Sequence, residues 1–212
     1  MQITNFFRFL GIGLVPLFFS FNLSAQAYPN KPVTVIVPFS AGSASDVVTR
    51  VLLEKVSSNT NTRFIFDNRP AAGGNVGTAA VVKAEPDGYT IGLSTSGPLA
   101  VNKILNPDLG YDPERDLQPI TLFAILPNII VVSSTLNINN LSQLNDYIRK
   151  TPDVAYGSVG NGSSQHLAGA YYEQLLGAKM THVPYRVTAN MVTDLVAGRV
   201  PISFQLLPNV SG

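Results

Sequence analysis

The chain has 212 residues and 45% of them are hydrophobic, which is enough for the core of one large or two small domains. Its 14 Lys and Arg against 13 Asp and Glu give a net charge of +1, so no basic field is present to attract nucleic acid. The absence of cysteine excludes disulfides, thiol catalysis and thiolate metal sites, and two histidines argue against a zinc site. We therefore predict no metal, no cofactor and no nucleic-acid partner, and a chemistry of hydroxyls, carboxylates and backbone amides.

The first 27 residues have the pattern of a secretory signal peptide. Arg8 supplies a positive charge, an apolar run over 9–21 follows, and residues 25–27 (Ala-Gln-Ala) have the form of a cleavage site. The run is short for a membrane span and contains Pro16, so a cleaved signal is favoured over an uncleaved anchor. This predicts a mature protein that begins near Tyr28 in a bacterial periplasm.

The first half of the mature chain alternates between short β-rich runs and longer amphipathic segments. Periodicity predicts strands over 33–39, 63–68 and 89–95 and helices over 45–58 and 75–85. In the first helix one apolar face is predicted, formed by Val47, Val48, Val51, Leu52 and Val56. Strands separated by helices pair in parallel, and ligands then bind at the carboxyl ends of the strands.

The second half follows a long polar connection over 106–119. Residues 120–134 are predicted to be two extended runs split by Pro127, a path that suits a hinge. Helices are then predicted over 141–150, 163–177 and 189–198, and strands over 154–159, 179–185 and 200–206. The fold class predicted is α/β, with two units at 28–122 and 123–212.

Each half contains a strand-to-helix junction with few bulky side chains, "PFSAGSASD" in the first and "GSVGNGSSQH" in the second. The first N–H groups of a helix have no partner within the helix, and the helix dipole adds about half a positive charge there. Such a position favours a carboxylate or phosphate. Two of these junctions facing a cleft could hold an anion without any arginine.

The first junction supplies eight candidate ligand-binding residues: Phe39, Ser40, Ala41, Gly42, Ser43, Ala44, Ser45 and Asp46. Ser43 or Ser45 is the expected helix cap. The alternative is a well-capped helix with no ligand role. Asp46 could cap, bind an ammonium group or complement the dipole, and beside an acidic ligand it is expected to point away.

The second junction and two other loops supply the remaining candidates: Gly160, Asn161, Gly162, Ser163, Ser164, His166, Thr95, Ser96, Gly97 and Tyr185. Ser163 or Ser164 is expected to cap, and Pro98 stands where a helix begins. Near the helix dipole His166 is expected to be neutral and to donate a hydrogen bond; a packed structural role is the alternative. Tyr185 could pack, line the pocket or do both.

Two motifs fall short of enzyme signatures. The stretch "AAGGNVGTAA" has Ala72 where a dinucleotide-binding fingerprint needs its first glycine, which weakens an ATP- or NAD-binding interpretation. Next to it, Arg69 could assist electrostatically or form a surface ion pair. The stretch "GLSTSG" is one residue longer than a nucleophile elbow. A secreted serine hydrolase using Ser96 or Ser164 with His166 remains the alternative function.

Several ordered motifs together resemble the Bug family of extracytoplasmic solute receptors: "PFSAGSASDVVTR", "DNRPAAGGNVGTAAV", "PDGYTIGLSTSG", "YDPERDLQPIT", "YGSVGNGSSQHLAG", "HVPYRVTANMVTDLVAG" and "VPISF". The resemblance implies a type II periplasmic-binding-protein fold with two hinged lobes and no catalysis. It implies a small carboxylate ligand, namely a di- or tricarboxylate, an acidic amino acid or an aromatic acid, passed to the membrane subunits of a tripartite tricarboxylate transporter. The ligand contacts it implies fall on Phe39–Ser45, Thr95–Gly97, Gly160–Ser164 with His166, and the stretch around Tyr185.

The sequence departs from the family pattern in three places. Gly42 and Ser43 stand where the family has paired glycines, and Arg186 and Val187 where it has Lys-Gly. Family members also continue for roughly another hundred residues, a domain-sized piece that completes the first lobe. The resemblance therefore predicts an incomplete first lobe and a missing C-terminal return.

Overall fold

The computed structural model describes residues 27–211. The chain divides into two units, 1–30 and 31–212, and every helix and strand between residues 27 and 211 belongs to the second. The predicted signal peptide, 1–27, lies outside the described residues except for Ala27. Between residues 27 and 211, no helix is both long and apolar enough to cross a membrane.

A three-stranded parallel sheet is built from the first half of the chain. Its strands are β1 (Val33–Val37), β2 (Phe64–Asn68) and β3 (Thr90–Gly92), in the order β2-β1-β3. Helix α1 (Ala44–Thr60) joins β1 to β2, and α2 (Asn75–Val82) lies between β2 and β3. The β-branched β1 is central and buried, which suits a strand covered on both faces. The predicted β-α-β-α-β order is confirmed, although β3 is shorter than predicted.

The apolar face predicted for α1 is confirmed only in part, since Val48, Leu52 and Val56 are half-buried and the other two valines are exposed. Val47 is 44% exposed and Val51 is 63% exposed, while the buried residues of the helix are Ala44, Asp46 and Thr49. These buried residues lie in the first turns of the helix, where Thr49 Oγ1 donates a hydrogen bond to the Ser45 carbonyl of the same helix. No second layer covers the two exposed valines within the described residues, so periodicity identified the buried side only in part.

A four-stranded mixed sheet is built from the second half. It contains β4 (Asn128–Val132), β5 (Val154–Ser158), β6 (Met180–Pro184) and β7 (Ile202–Leu206), in the order β4-β7-β5-β6. Only the β4–β7 pair is antiparallel. Helices α5 (Leu141–Lys150), α6 (Ser164–Leu176) and α7 (Thr188–Val196) connect or cover these strands. Helix α5 and the strands form the main core cluster, which includes Leu144, Ile148, Tyr156, Ile202 and Phe204.

The connection between the sheets differs from the prediction. It contains a short helix at Gly97–Val101, then α3 (Asn102–Leu105) and α4 (Pro113–Asp116). Of the two extended runs predicted over 120–134, only the second forms a strand, because β7 provides hydrogen-bonding partners for Asn128–Val132. The first run pairs with no strand of the described chain, and Ile120, Leu122 and Ile125 are 77–83% exposed.

A helical turn at Ser134–Leu136 follows β4, and two further turns lie near the ends of β2 and β7. They are Ala72–Gly74, just before α2, and Leu207–Asn209, just after β7. The first follows β2 and the second follows β7, and both strands belong to the parallel parts of their sheets. Both turns are therefore near the carboxyl ends of parallel strands, where the two junctions of the candidate site also lie.

Candidate functional site

The first junction leads from β1 into α1 and is organised by Ser43. Its Oγ accepts a hydrogen bond from the Asp46 N–H at 3.3 Å, so Ser43, and not Ser45, is the helix cap. Gly42 has a φ of +76°, a conformation that favours glycine. Ser45, freed from capping, is available to face the cavity described below.

Asp46 points into the protein, away from that cavity. It is 2% exposed, and its carboxylate accepts hydrogen bonds from the Gly42 N–H, Arg50 Nε and Asn68 Nδ2, each at 2.9 Å. Burial would raise the pKa of Asp46, but the hydrogen bonds from Arg50, Asn68 and Gly42 outweigh it and hold the pKa below its usual value. The carboxylate therefore fixes the junction and presents no negative charge to an incoming anion.

The second junction leads from β5 into α6 and has the same construction. Ser163 caps α6, accepting from the His166 N–H at 3.2 Å and donating to the Gly160 carbonyl at 2.7 Å. The Gly162 N–H donates to His166 Nδ1 at 3.1 Å, so this nitrogen accepts where the sequence predicted a donor. Burial lowers the pKa of His166, which agrees with the neutral ring that was expected.

A second histidine, which the sequence did not single out, packs under His166. The ring centroids of His166 and His182 are 4.1 Å apart, and His182 Nε2 lies 2.6 Å from Ser158 Oγ. Burial, followed by repulsion from the charge that His166 carries once it is protonated, lowers the pKa of His182 to about 4. Ser158 is fully buried and so cannot act as an exposed nucleophile. Strands β5 and β6 pair in a register that places Tyr156 opposite His182, and Ser158 points to the same face of β5 as Tyr156. That register could have indicated the contact between Ser158 and His182.

The hydrolase alternative finds no support in these contacts. Among the described residues, the His166 ring accepts a hydrogen bond from the Gly162 N–H, and none joins it to Ser96 or Ser164. A serine nucleophile requires its base within hydrogen-bonding reach.

The second junction meets two other loops of the first half of the chain through glycine contacts. A Cβ on Gly97 would lie 2.3 Å from the Gly162 carbonyl oxygen, and one on Gly73 would lie 2.2 Å from the carbonyl oxygen of Asn161. A Cβ on Gly160 would in turn lie 2.7 Å from the nitrogen of Gly73. Backbones from the two halves of the chain therefore touch where no side chain intervenes.

Hydrogen bonds across the same boundary reinforce these contacts. Ser40 Oγ lies 3.3 Å from Thr188 Oγ1, and Arg186 Nε donates to the Pro70 carbonyl at 2.8 Å. The Ala44 N–H donates to Asn209 Oδ1 at 2.6 Å. These contacts hold the two halves of the chain against each other.

A cavity of about 20 Å³ remains between the junctions, which is room for about one water molecule. Six of the predicted residues line it, and five lining residues were not predicted. The predicted ones are Phe39, Ser43, Ala44, Ser45, Thr95 and Ser164; the others are Val159, Gln165, Thr188, Leu206 and Asn209. None of these side chains is charged.

The cavity is rich in hydrogen-bond donors. Within residues 27–211, the N–H groups of Ser45, Ser164 and Gln165 have no acceptor, as expected in the first turn of a helix. The Gln165 side chain is 4% exposed, and its Oε1 accepts from Ser164 Oγ at 3.1 Å while its Nε2 has no partner in the described chain. Its position directly after the first residue of α6 is the signal that could have identified it.

The other predicted residues do not line the cavity. Most belong to the loops and glycine contacts that frame it: Ser40, Ala41, Gly42, Asp46, Ser96, Gly97, Gly160, Asn161, Gly162, Ser163 and His166. Tyr185 donates to Asp194 Oδ2 at 2.7 Å, and burial together with Asp194 raises the pKa of Tyr185 to about 12. Arg69 forms an ion pair with Asp67. No cluster of three metal-ligating side chains occurs among residues 27–211.

Comparison with known proteins places the chain in a family. Residues 48–212 match the family model "Tripartite tricarboxylate transporter family receptor". Protein BugT of Bordetella pertussis is 32% identical over 212 residues, covering 99% of this chain and 65% of BugT. This chain spans between 52% and 65% of the length of BugT and two other relatives that it matches.

Two solved structures share the fold. One, described as R. palustris Rpa4515 with adipate, superposes with a TM-score of 0.83 at 33% identity, covering 86% of this chain and 62% of that one. The other, MatC from Rhodopseudomonas palustris with bound malate, has a TM-score of 0.80 at 27% identity, again covering 86% and 62%. The chain therefore belongs to the tripartite tricarboxylate transporter receptor family.

Proposed function

We propose that this protein is a periplasmic receptor that binds a small carboxylate between two lobes and passes it to the membrane subunits of a tripartite transporter. The candidate ligands are di- and tricarboxylates, acidic amino acids and aromatic acids. The observation that carries the proposal is the meeting of two helix N-termini, those of α1 and α6, at one uncharged cavity.

The chemistry of the cavity favours an anion. Free N–H groups at a helix N-terminus, together with the helix dipole, stabilise a carboxylate without a cationic side chain. The N–H of Ser45 serves one end of the cavity, and those of Ser164 and Gln165 serve the other. The Gln165 amide adds a side-chain donor. A ligand with two separated acidic or polar ends matches donors on both sides.

Two related proteins support the ligand class. The adipate and malate in the two solved structures are both dicarboxylates, and both proteins have the same fold. We infer a ligand of the same chemical class here, held by binding contacts and not by covalent chemistry. The protein is accordingly proposed to be a receptor and not an enzyme.

Opening of the lobes is part of the proposal. A cavity of about 20 Å³ has no room for a dicarboxylate, so the ligand must enter when the two halves separate. We assign the lobes to 28–122 and 123–212 and the hinge to the irregular segment that links Leu117 to β4. Closure around the ligand is then a hinge motion stabilised by contacts from both sides.

The test is calorimetric titration of the protein with malate, adipate, citrate, aspartate and benzoate, with neutral succinamide as a control. Gln165→Glu changes one amide to a carboxylate of the same shape inside the cavity. We expect it to weaken binding of the preferred acid at least about tenfold, because a like charge in a poorly hydrated cavity costs more than 1.4 kcal/mol. Gln174→Glu makes the same change at an exposed position of α6 and should leave the affinity unchanged.

The outcomes separate the alternatives. Binding of an acid that is recovered unchanged, with a loss in Gln165→Glu alone, supports the receptor. If no acid binds, or if both variants bind as the unmodified protein does, the proposed site is wrong. Conversion of the ligand to a product would instead support an enzymatic function.

A further inference from the structure

We propose that Asn209 competes with the ligand for the first N–H of helix α1 and thereby sets the affinity of the cleft. The inference rests on the proposed function and adds a specificity-determining residue to it. Asn209 lies in the short turn after β7 and lines the cavity.

The contact has the geometry of a ligand contact. Asn209 Oδ1 accepts a hydrogen bond from the Ala44 N–H at 2.6 Å, just below the usual range of about 2.7–3.2 Å. Ala44 is the first residue of α1, directly after the Ser43 cap. An acceptor from the second half of the chain therefore occupies the position at the helix N-terminus where a carboxylate would be stabilised.

Comparison of the two helices shows that this acceptor is specific to α1. The equivalent N–H of α6 belongs to Ser164, directly after the Ser163 cap, and it has no acceptor among the described residues. Two similar junctions thus differ in one respect. The first N–H of α1 already donates to Asn209, whereas the first N–H of α6 has no acceptor among the described residues.

The orientation of the Asn209 amide is determined by its neighbours. Ser203 Oγ donates to the Gly157 carbonyl, so it accepts from Gln205 Nε2 at 3.0 Å. Gln205 Oε1 must then accept from Asn209 Nδ2, at 2.9 Å. This chain of hydrogen bonds leaves the carbonyl of Asn209 facing Ala44. Asn209 is therefore held as an acceptor, which a bound acid would have to displace.

Displacement of Asn209 Oδ1 from the Ala44 N–H by a ligand favours charged ligands. A carboxylate is a stronger acceptor than a neutral amide, so an ionised acid can replace Asn209 Oδ1 at the Ala44 N–H. A neutral ligand offers no such advantage. Asn209 thus lowers the affinity for every ligand while rejecting neutral ones most strongly.

The test compares the unmodified protein with Asn209→Ala in titrations with malate and adipate, with succinamide as the neutral probe. Removing one competing hydrogen bond should tighten binding of the acids about three- to tenfold. Hydrogen exchange of the Ala44 amide should also become faster in the ligand-free variant. Asn190→Ala is the matched control, because Asn190 is exposed on α7.

A second variant shows whether a change in affinity comes from the lost hydrogen bond or from a folding defect in Asn209→Ala. Asn209→Ser retains a polar group but is too short to reach the Ala44 N–H, so it should tighten binding in the same direction. Weaker or unchanged binding in both variants, with the unmodified protein still binding an acid, would overturn the role of Asn209 alone. Failure of every variant and of the unmodified protein to bind any acid would overturn the proposed function itself, and this inference with it.

Discussion

Substitution of Gly97 by alanine tests whether closure of the two halves is required for ligand binding. Gly97 begins the short helix after β3 and is buried, and its φ is not in the left-handed region that favours glycine. Alanine can therefore adopt the same backbone conformation. The added methyl group, however, would lie 2.3 Å from the Gly162 carbonyl oxygen in the other half of the chain.

The size of the effect follows from that distance. An ordinary contact for a Cβ is 3.4–4 Å, so the two backbones must separate by about 1 Å. Overpacking of this kind costs about 1–3 kcal/mol, and only the closed form carries the cost because the open form has no such contact. Affinity for the acid should therefore fall about 5- to 150-fold.

Two measurements check this expectation. Calorimetric titration with malate and adipate gives the affinity. Because the sequence contains no cysteine, a pair of introduced cysteines at the exposed positions Val51 and Val196 can carry spin labels without background. We expect the distance between the labels in Gly97→Ala to stay longer in the presence of ligand than in the parent protein.

Gly177→Ala is the control. Gly177 has a φ of +64° at the end of α6, and a Cβ there meets open space. Alanine should cost about 1–2 kcal/mol of stability through backbone strain without touching the cleft, so affinity should be unchanged. Parent-like affinity and label distance in Gly97→Ala would refute the reasoning, since they would show that the packed glycine contact is not needed for binding.

Two further substitutions test the framework of the site. His182→Gln should reduce the loss of stability at acid pH. In the parent protein the pKa of His182 is lowered to about 4, so the folded state loses about 3 kcal/mol relative to the unfolded chain as pH falls from 6.5 to about 4. The variant lacks this loss. Chemical denaturation at a series of pH values measures this, and identical curves for variant and parent would contradict it. Asp46→Ala should lower the free energy of unfolding by about 2–3 kcal/mol, because Gly42 and Asn68 lose a buried charged acceptor. The check is urea denaturation, where a loss below about 0.5 kcal/mol would be inconsistent with the network.

Much of the fold and part of the site follow from local sequence. The β-branched run at 33–37 and the alternation after it were enough to predict parallel strands joined by helices. The junctions were predictable because a cap and its first helical turn lie within three residues, as Ser43 with Asp46 and Ser163 with His166 show. Capping and periodicity are local effects, and the sequence displays them directly.

The sequence could not identify the residues that close the site. Ser40 meets Thr188 across 148 positions, and Ala44 meets Asn209 across 165, so no local pattern links either pair. Gln165 follows the first residue of a helix that the sequence predicts, but whether its side chain faces the cavity depends on how the two halves of the chain pack.

Burial was the other property that only the tertiary structure decided. In the apolar face predicted for α1, Val51 is exposed, and in the apolar run predicted to be extended before Pro127 so is Ile125, because no layer covers them within the described residues. A hydrophobic period indicates which side chains could be buried together. Whether they are buried depends on the elements that pack against them, and those contacts form between residues distant in sequence.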